Sequence, residues 1–385
     1  MRKSQVFHFI GIALLISLLA SCSPAPQVTT NAPTKNTSPQ PPATSFQPTE
    51  TPLPAETSTP TIAPTAAQSL RAYAFQHGIF IGAAVSAPAL NQDKPYAETL
   101  AREFSLVTPE NAMKFDAVHP AQTNYDFTIA DKLVKFAQQN GMAVRGHTLV
   151  WHNQLPAWVT DGKFSRDELT AILKDHIMTV VGHYRGQVAV WDVVNEAVAD
   201  DGSLRHTIWL DTIGPDYIDM AFQWAHEADP DAKLFYNDYS NENMGNKSTA
   251  VYKLVQGMVQ RGVPINGVAF QMHLDVDSPP PESEVSANMQ RLSDLGLEVH
   301  ITELDVRIKG AATDQKLAQQ ARVYHDMLQV CLSASNCKAF ILWGFTDRYS
   351  WIPQFLQGYG SALIFDESYQ PKPAYSALVD AFSGK

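Results

Sequence analysis

Past Leu70 the chain alternates short, β-rich apolar runs with longer amphipathic stretches, and this rhythm leaves few architectures open. The eight short runs are Ile79–Val85, Phe104–Glu110, Ala143–Trp151, Ala189–Glu196, Lys233–Tyr239, Gly267–Leu274, Glu298–Asp305 and Ala339–Asp347. Helical candidates lie between them at Phe127–Asn140, Asp167–Tyr184, Asp216–Ala228, Lys247–Arg261, Glu284–Leu295 and Asp314–Leu332. Strands separated by helix-length segments need crossover connections and so run parallel. Eight of them in about 310 residues can close into a (β/α)8 barrel. Gly141, Gly262 and Gly296 follow helical stretches, where a C-terminal cap is expected. The expected fold class is α/β, a (β/α)8 TIM barrel forming a single catalytic domain over residues 68–385.

The N-terminus reads differently. Residues 1–22 have the form of an export signal: Arg2 and Lys3, then an apolar run from Phe9 to Ala20 that is short for a membrane span. It ends in Leu19-Ala20-Ser21-Cys22, which resembles the lipobox of bacterial lipoproteins, so Cys22 is expected to carry lipid and anchor the protein to the membrane, with simple secretion as the alternative. Residues 23–67 are rich in Pro, Thr and Ser and hold eleven of the 25 prolines. Such a segment cannot build a core and suits a semi-rigid tether. Cys331 and Cys337 are close enough to pair across a short loop, and export to an oxidising compartment would let them do so. Neither their spacing nor their surroundings suggests a zinc site, which needs about four ligands.

Composition narrows the partners. With 45% hydrophobic residues the chain can fill one large core, and its formal charge of −11, with no basic run after the leader, argues against a nucleic-acid partner. A neutral or weakly acidic polymer fits better. No cofactor is implied, and a monomer is expected. Because the chain ends soon after the last helical candidate, no separate carbohydrate-binding domain is expected.

The polar residues gather at one end of the strand scheme. Glu110, Asn111, His147, His152, Asn195, Glu196, Asn237, Asp238, Gln271, His273, Glu303, Asp305 and Trp343 all fall at or beyond the C-terminal ends of the runs. That is the face on which a TIM barrel carries its active site. Within the set, Trp191-Asp192-Val193-Val194-Asn195-Glu196-Ala197 and His300-Ile301-Thr302-Glu303-Leu304-Asp305 each place one carboxylate at the end of an apolar strand. Cleaving a glycosidic bond takes a proton for the leaving oxygen and an anion opposite the charge developing at the anomeric carbon. Glu196 and Glu303 are the candidates. Asp305 shares a strand face with Glu303 and His273 ends the neighbouring strand, so a Glu303–His273–Asp305 hydrogen-bond chain that keeps Glu303 ionised is expected.

The motifs Thr108-Pro109-Glu110-Asn111-Ala112-Met113-Lys114, Arg145-Gly146-His147-Thr148-Leu149-Val150-Trp151-His152, Trp191–Ala197, Gln271-Met272-His273, Thr302–Asp305 and Trp343-Gly344-Phe345-Thr346-Asp347 resemble those of family 10 glycoside hydrolases, the retaining endo-1,4-β-xylanases. The resemblance runs from about Leu70 to Phe382. It implies xylan as substrate, Glu196 as acid/base on strand 4, Glu303 as nucleophile on strand 7, and Asn195 as donor to the sugar 2-hydroxyl. It further implies glycone-side contacts from Glu110, Asn111, Lys114, His147, Trp151 and Gln154, a roof of Trp343 and Trp351, a place for Gln271 beside the substrate, and aglycone contacts from Asn237 and Tyr239. The loops Asp200–Trp209 and Arg348–Gly358 would tune more distant subsites.

Three other readings compete. The same fold can cut cellulose, mixed-linkage glucan or an aryl glycoside, the difference being room for a hydroxymethyl at C5. A metal-dependent barrel hydrolase could use His147, His152, His273 and Asp305, although these have no compact ligand pattern. A catalytically dead sugar-binding protein would not be expected to keep both carboxylates and their supports.

Overall fold

The structure is a computed structural model that describes residues 68–385. The signal 1–22, Cys22 and the segment 23–67 lie outside the described residues. Eight parallel strands form the barrel: β1 (Phe80–Val85), β2 (Leu106–Pro109), β3 (Ala143–Val150), β4 (Val190–Asn195), β5 (Lys233–Asp238), β6 (Gly267–Phe270), β7 (Glu298–Lys309) and β8 (Cys337–Leu342). Each pairs with the next in chain order. The ring closes where β8 returns to β1, from Phe80↔Ala339 to Ala83↔Leu342. The α/β barrel expected from the alternation is therefore present.

The barrel is filled, not hollow. Val190, Phe235 and Ala269 form one small interior cluster, and Leu106, Ala339 and Ile341 another. Two glycines make room for large rings, Gly146 for Trp191 in the core between strands and helices and Gly267 for Phe235 inside the barrel. A Cβ on Gly146 would lie 2.2 Å from the indole of Trp191, and one on Gly267 would lie 2.3 Å from the ring of Phe235. Any larger residue there would push its neighbour from the core. Outside the strands, a second and larger core packs them against the helices.

The helices follow their end signals. Ser165 caps helix Arg166–His183 through the Glu168 amide, and the Glu168 carboxylate answers to the Ser165 amide. Thr313 caps Asp314–Ser333. The expected C-terminal glycines take left-handed conformations, with φ of 58° at Gly141, 71° at Gly262 and 76° at Gly296. Helices Ala87–Gln92 and Lys94–Glu103 were not among the expected ones, and each carries a proline. Both prolines sit in the first turn, where no amide donor is required.

Three strand expectations need correction. The run Gly267–Leu274 is broken: β6 ends at Phe270, Met272 turns left-handed with φ 61°, and the chain resumes as His273–Asp275, with His273 opposite Asp305 of β7. Strand β7 continues past Asp305 to Lys309 because Tyr359–Gly360 pairs with its end. Strand β8 stops at Leu342, which frees Trp343 for the cleft. The expected disulfide joins Cys331, near the end of helix Asp314–Ser333, to Cys337 at the start of β8, with Cα atoms 5.3 Å apart. Among the described residues, no helix is long and apolar enough to cross a membrane.

Candidate active site

An open cleft of about 1350 Å³ crosses the C-terminal face of the barrel. It exceeds the roughly 300–1,000 Å³ typical of small-ligand pockets, as a site for several sugar units in a row must. Of the residues singled out in the sequence, Glu110, Asn111, Lys114, His147, Trp151, Gln154, Asn195, Glu196, Tyr239, Gln271, His273, Glu303, Trp343 and Trp351 line it. Asp305 and Asn237 are instead wholly buried.

Glu303 sits on β7 with both carboxylate oxygens bound. Asn237 Nδ2 donates to Oε1 at 2.7 Å, and His273 Nε2 lies 3.2 Å from Oε2. His273 Nδ1 lies 2.9 Å from Asp305 Oδ2, completing the expected three-residue chain, and Trp351 Nε1 donates to that same Asp305 oxygen at 2.8 Å. Burial opposes a charge on the imidazole, but Asp305 and then Glu303 outweigh it and push the His273 pKa up to about 10. At neutral pH both ring nitrogens therefore carry protons and donate. Burial likewise opposes the Glu303 carboxylate, yet the His273 hydrogen bond, the charges of His147 and His273, and the Asn237 donor hold it below the usual carboxylate range.

Glu196 is held by a different set of groups. Its Oε2 accepts from Trp151 Nε1 at 2.9 Å and its Oε1 from Gln271 Nε2 at 3.1 Å. Strand β4 ends one residue earlier, at Asn195, and Glu196 itself takes φ of 57°. A left-handed conformation costs a non-glycine residue about 1–2 kcal/mol, so the surrounding structure must hold it. The Glu196 amide donates to Asn237 O at 2.9 Å, across from the end of β5.

The placement of Asn237 corrects the expectation of an aglycone contact. Its Nδ2 is shared between Asn195 Oδ1 at 2.8 Å and Glu303 Oε1, and its Oδ1 accepts from Thr302 Oγ1 at 2.8 Å. The amide is thus spent within the protein, linking β4, β5 and β7. Tyr239, its expected companion, does line the cleft. On the opposite wall Lys114 Nζ donates to Gln154 Oε1 at 2.6 Å and Asn111 Oδ1 at 3.0 Å, and lies 4.9 Å from the centre of a Trp151 ring. Burial raises the Glu110 pKa and lowers that of Lys114.

Of the histidines weighed for a metal, His152 has only the Asn153 amide nitrogen beside its Nε2, at 3.1 Å, and the other two are engaged with carboxylates. His147 Nδ1 lies 3.0 Å from Asp192 Oδ2, while His273 uses both nitrogens on carboxylates. Among the described residues, no group of three or more His, Cys, Asp or Glu side chains is arranged to hold a metal ion.

Several residues of the site were missed. Arg145 pairs with Asp192 inside the barrel through both Nε and Nη2, and its Nη1 lies 2.9 Å from His300 Nδ1. A signal was present: each is a lone charge within an apolar strand, and buried charges must pair. Glu242, Arg307, Ile129 and Phe355 also line the cleft, and the Phe355 ring lies 5.7 Å from that of Trp351. Glu242 lies in a loop with no period to reveal which way it faces, and Arg307 sits on the part of β7 beyond the expected strand end. Ile129 is an exposed apolar residue in the first turn of helix Thr128–Gln139, and Phe355 ends the short helix Ile352–Phe355.

The family model described as glycosyl hydrolase family 10 matches residues 69–381. Endo-1,4-beta-xylanase B of Thermotoga neapolitana is 49% identical over 298 residues, covering 77% of this chain and 86% of that protein. An endo-1,4-beta-xylanase of Agaricus bisporus is 42% identical over 306 residues, 79% of this chain and 91% of that one. The crystal structure of xylanase 10B from Thermotoga petrophila RKU-1 in complex with xylobiose aligns with a TM-score of 0.81 at 46% identity, covering 84% of this chain and 99% of that one. Sequence motifs, barrel topology and the paired carboxylates agree with that match over nearly the whole described domain, and the chain belongs to glycosyl hydrolase family 10.

Proposed function

We infer that this protein is a retaining endo-1,4-β-xylanase, hydrolysing internal β-1,4-xylosidic bonds of xylan by double displacement. The observation that carries this reading is the contrast between its two carboxylates. Glu303 is fixed by a charged imidazole and an amide, as a nucleophile needs, whereas Glu196 contacts an indole and an amide at the rim of the same cleft. In the first step Glu303 bonds to the anomeric carbon as the glycosidic bond breaks and Glu196 gives its proton to the departing oxygen. In the second, Glu196 takes a proton from water, the water oxygen bonds to the anomeric carbon, and Glu303 leaves. Asn195 is the proposed donor to the sugar 2-hydroxyl. Trp343 and Trp351 would roof the reacting sugar and leave little room for a hydroxymethyl group. The names of the relatives, and the xylobiose bound to the Thermotoga petrophila enzyme, support xylan as the substrate class.

Proton NMR of the first product from xylan tests the mechanism, because retention releases the β anomer before mutarotation. Early α product would overturn it. Initial rates on xylan, mixed-linkage glucan and cellulose measured side by side test the substrate.

We also propose that residues 1–22 export the protein, that Cys22 carries lipid, and that residues 23–67 tether a monomeric catalytic domain outside the cytoplasm. This rests on the Leu19–Cys22 motif and on the proline-rich composition that follows it.

A further inference from the structure

The loop after β4, expected to tune distant subsites, folds back beneath Glu196. Arg205 closes it. Its backbone amide donates to Ala197 O at 2.7 Å, its side-chain Nε donates to the carbonyl of Glu196 itself at 2.9 Å, and its Nη2 reaches Val198 O at 3.3 Å and Tyr239 Oη at 2.9 Å. Tyr239 is fixed in turn, donating to Asp200 Oδ1 at 2.7 Å with Lys247 Nζ 3.1 Å from its ring centre. Lys247 is buried and paired with Asp238 at 2.9 Å. The left-handed peptide of Glu196 is therefore gripped on both sides, by Asn237 O on its amide and by the Arg205 guanidinium on its carbonyl.

We propose that Arg205 is a positioning residue for proton transfer, holding the Glu196 backbone in the conformation that points its carboxyl at the departing oxygen. The proposal rests on the reading of Glu196 as the acid. Arg205 contacts the main chain of that residue and no reacting atom, so its influence passes entirely through where Glu196 stands. When the glycosidic bond breaks, its electron pair stays with the leaving oxygen, which takes the Glu196 proton while Glu303 bonds to the anomeric carbon. A sugar leaving group depends on that proton. A dinitrophenolate does not, because it leaves readily as the anion. Misplacing Glu196 therefore penalises the first kind of substrate selectively.

The test compares kcat/KM on xylotetraose and on a dinitrophenyl β-xylobioside for the wild type, Arg205→Ala, Arg205→Lys and Glu196→Ala. Displacement of a reacting group by about 1 Å can cost on the order of 100-fold. Arg205→Ala should lose between about 10- and 100-fold on xylotetraose and stay within about twofold on the aryl glycoside. Arg205→Lys keeps the charge but cannot span the three acceptors, and should show a weaker version of the same split; it also serves if the alanine variant fails to fold. Added guanidinium should restore part of the xylotetraose rate to Arg205→Ala. Equal losses on both substrates, or none on either, overturn the proposal. Glu196→Ala separates the two possible failures. If it shows the split and the Arg205 variants do not, the proposal alone falls; if it lacks the split, the assignment of Glu196 as acid falls as well.

Discussion

Asn237 and Glu303 are joined by a 2.7 Å hydrogen bond between a buried amide nitrogen and one oxygen of the carboxylate. The second proton of that nitrogen is committed to Asn195, next to Glu196. Asn237→Ala would leave Glu303 Oε1 without a partner in a buried setting, while the Thr302 hydroxyl falls back on Phe270 O and Asn195 Oδ1 on Gln271 Nε2. An unmade buried hydrogen bond costs about 1–3 kcal/mol. Urea unfolding should show a loss of that order, and kcat/KM should fall alike for good and poor leaving groups, because the nucleophile is disturbed in both cases. A loss confined to poor leaving groups would place Asn237 on the acid side instead.

The two glutamates should separate by leaving group. Glu303→Ala should abolish turnover of every glycoside. Glu196→Ala should lose about 10²–10⁴-fold on xylan yet still form the glycosyl-enzyme from an activated aryl glycoside, seen as a burst of released phenolate. Equal failure of both variants at that first step would remove the acid role from Glu196.

The charge on His273 makes a prediction in pH. Its pKa is raised from 6.5 to about 10, so the stability it contributes is fully present below 6.5 and is lost as pH climbs through about 10. The difference in unfolding free energy between wild type and His273→Gln should be largest near neutrality and shrink toward pH 10. Glu303 has the opposite sign: held below its ordinary 4.5, it stabilises above that value and loses the contribution as pH falls. Without the imidazolium its pKa should rise, so the acid limb of the kcat/KM profile of His273→Gln should move to higher pH. An unmoved acid limb would mean that the limb reports another group.

The disulfide closes a loop with a sequence separation of 6 at the N-terminal end of β8, the end opposite the cleft. For so short a loop the chain-entropy argument gives roughly 2 kcal/mol. The double variant Cys331→Ala/Cys337→Ala should unfold at lower temperature by that equivalent while keeping the kcat of the wild type at 25 °C. A fall in kcat without a fall in stability would point to an influence on the cleft through β8.

Lipidation of Cys22 should send the protein to the membrane fraction with its barrel outward. Cys22→Ser should release or misprocess it, without lowering the specific activity of a form that starts near Gln68. Identical fractionation of the two as soluble secreted protein would exclude the anchor and leave the glycosidase reading intact.

The barrel was legible because its strands and helices have different periods, and the change between them recurs along the chain. The two carboxylates were legible because each follows an apolar run and stands beside polar residues that a core would not tolerate, although Glu303 proves to lie within β7 and not at its end. Asn237 was not. In a barrel both faces of a strand are covered, so polarity at a strand end does not say which way a residue points. Met272 hid in the same way, since a single left-handed residue leaves an apolar run looking continuous. Arg205 lies in a loop without period, and its contact with Glu196 exists because the chain returns on itself, closing through Val198↔Leu204.

The bond from Trp351 to Asp305 ties the ceiling of the cleft to the group that steadies the nucleophile's imidazole. Widening the site for a six-carbon sugar by shrinking that indole would also strip a donor from a buried carboxylate. Asp305 would then draw harder on His273, and the reactivity of Glu303 would shift along with the choice of sugar. Substrate range and nucleophile strength are inherited together here, so a lineage drifting toward glucans would have to retune Asp305 in the same move that reshaped its roof.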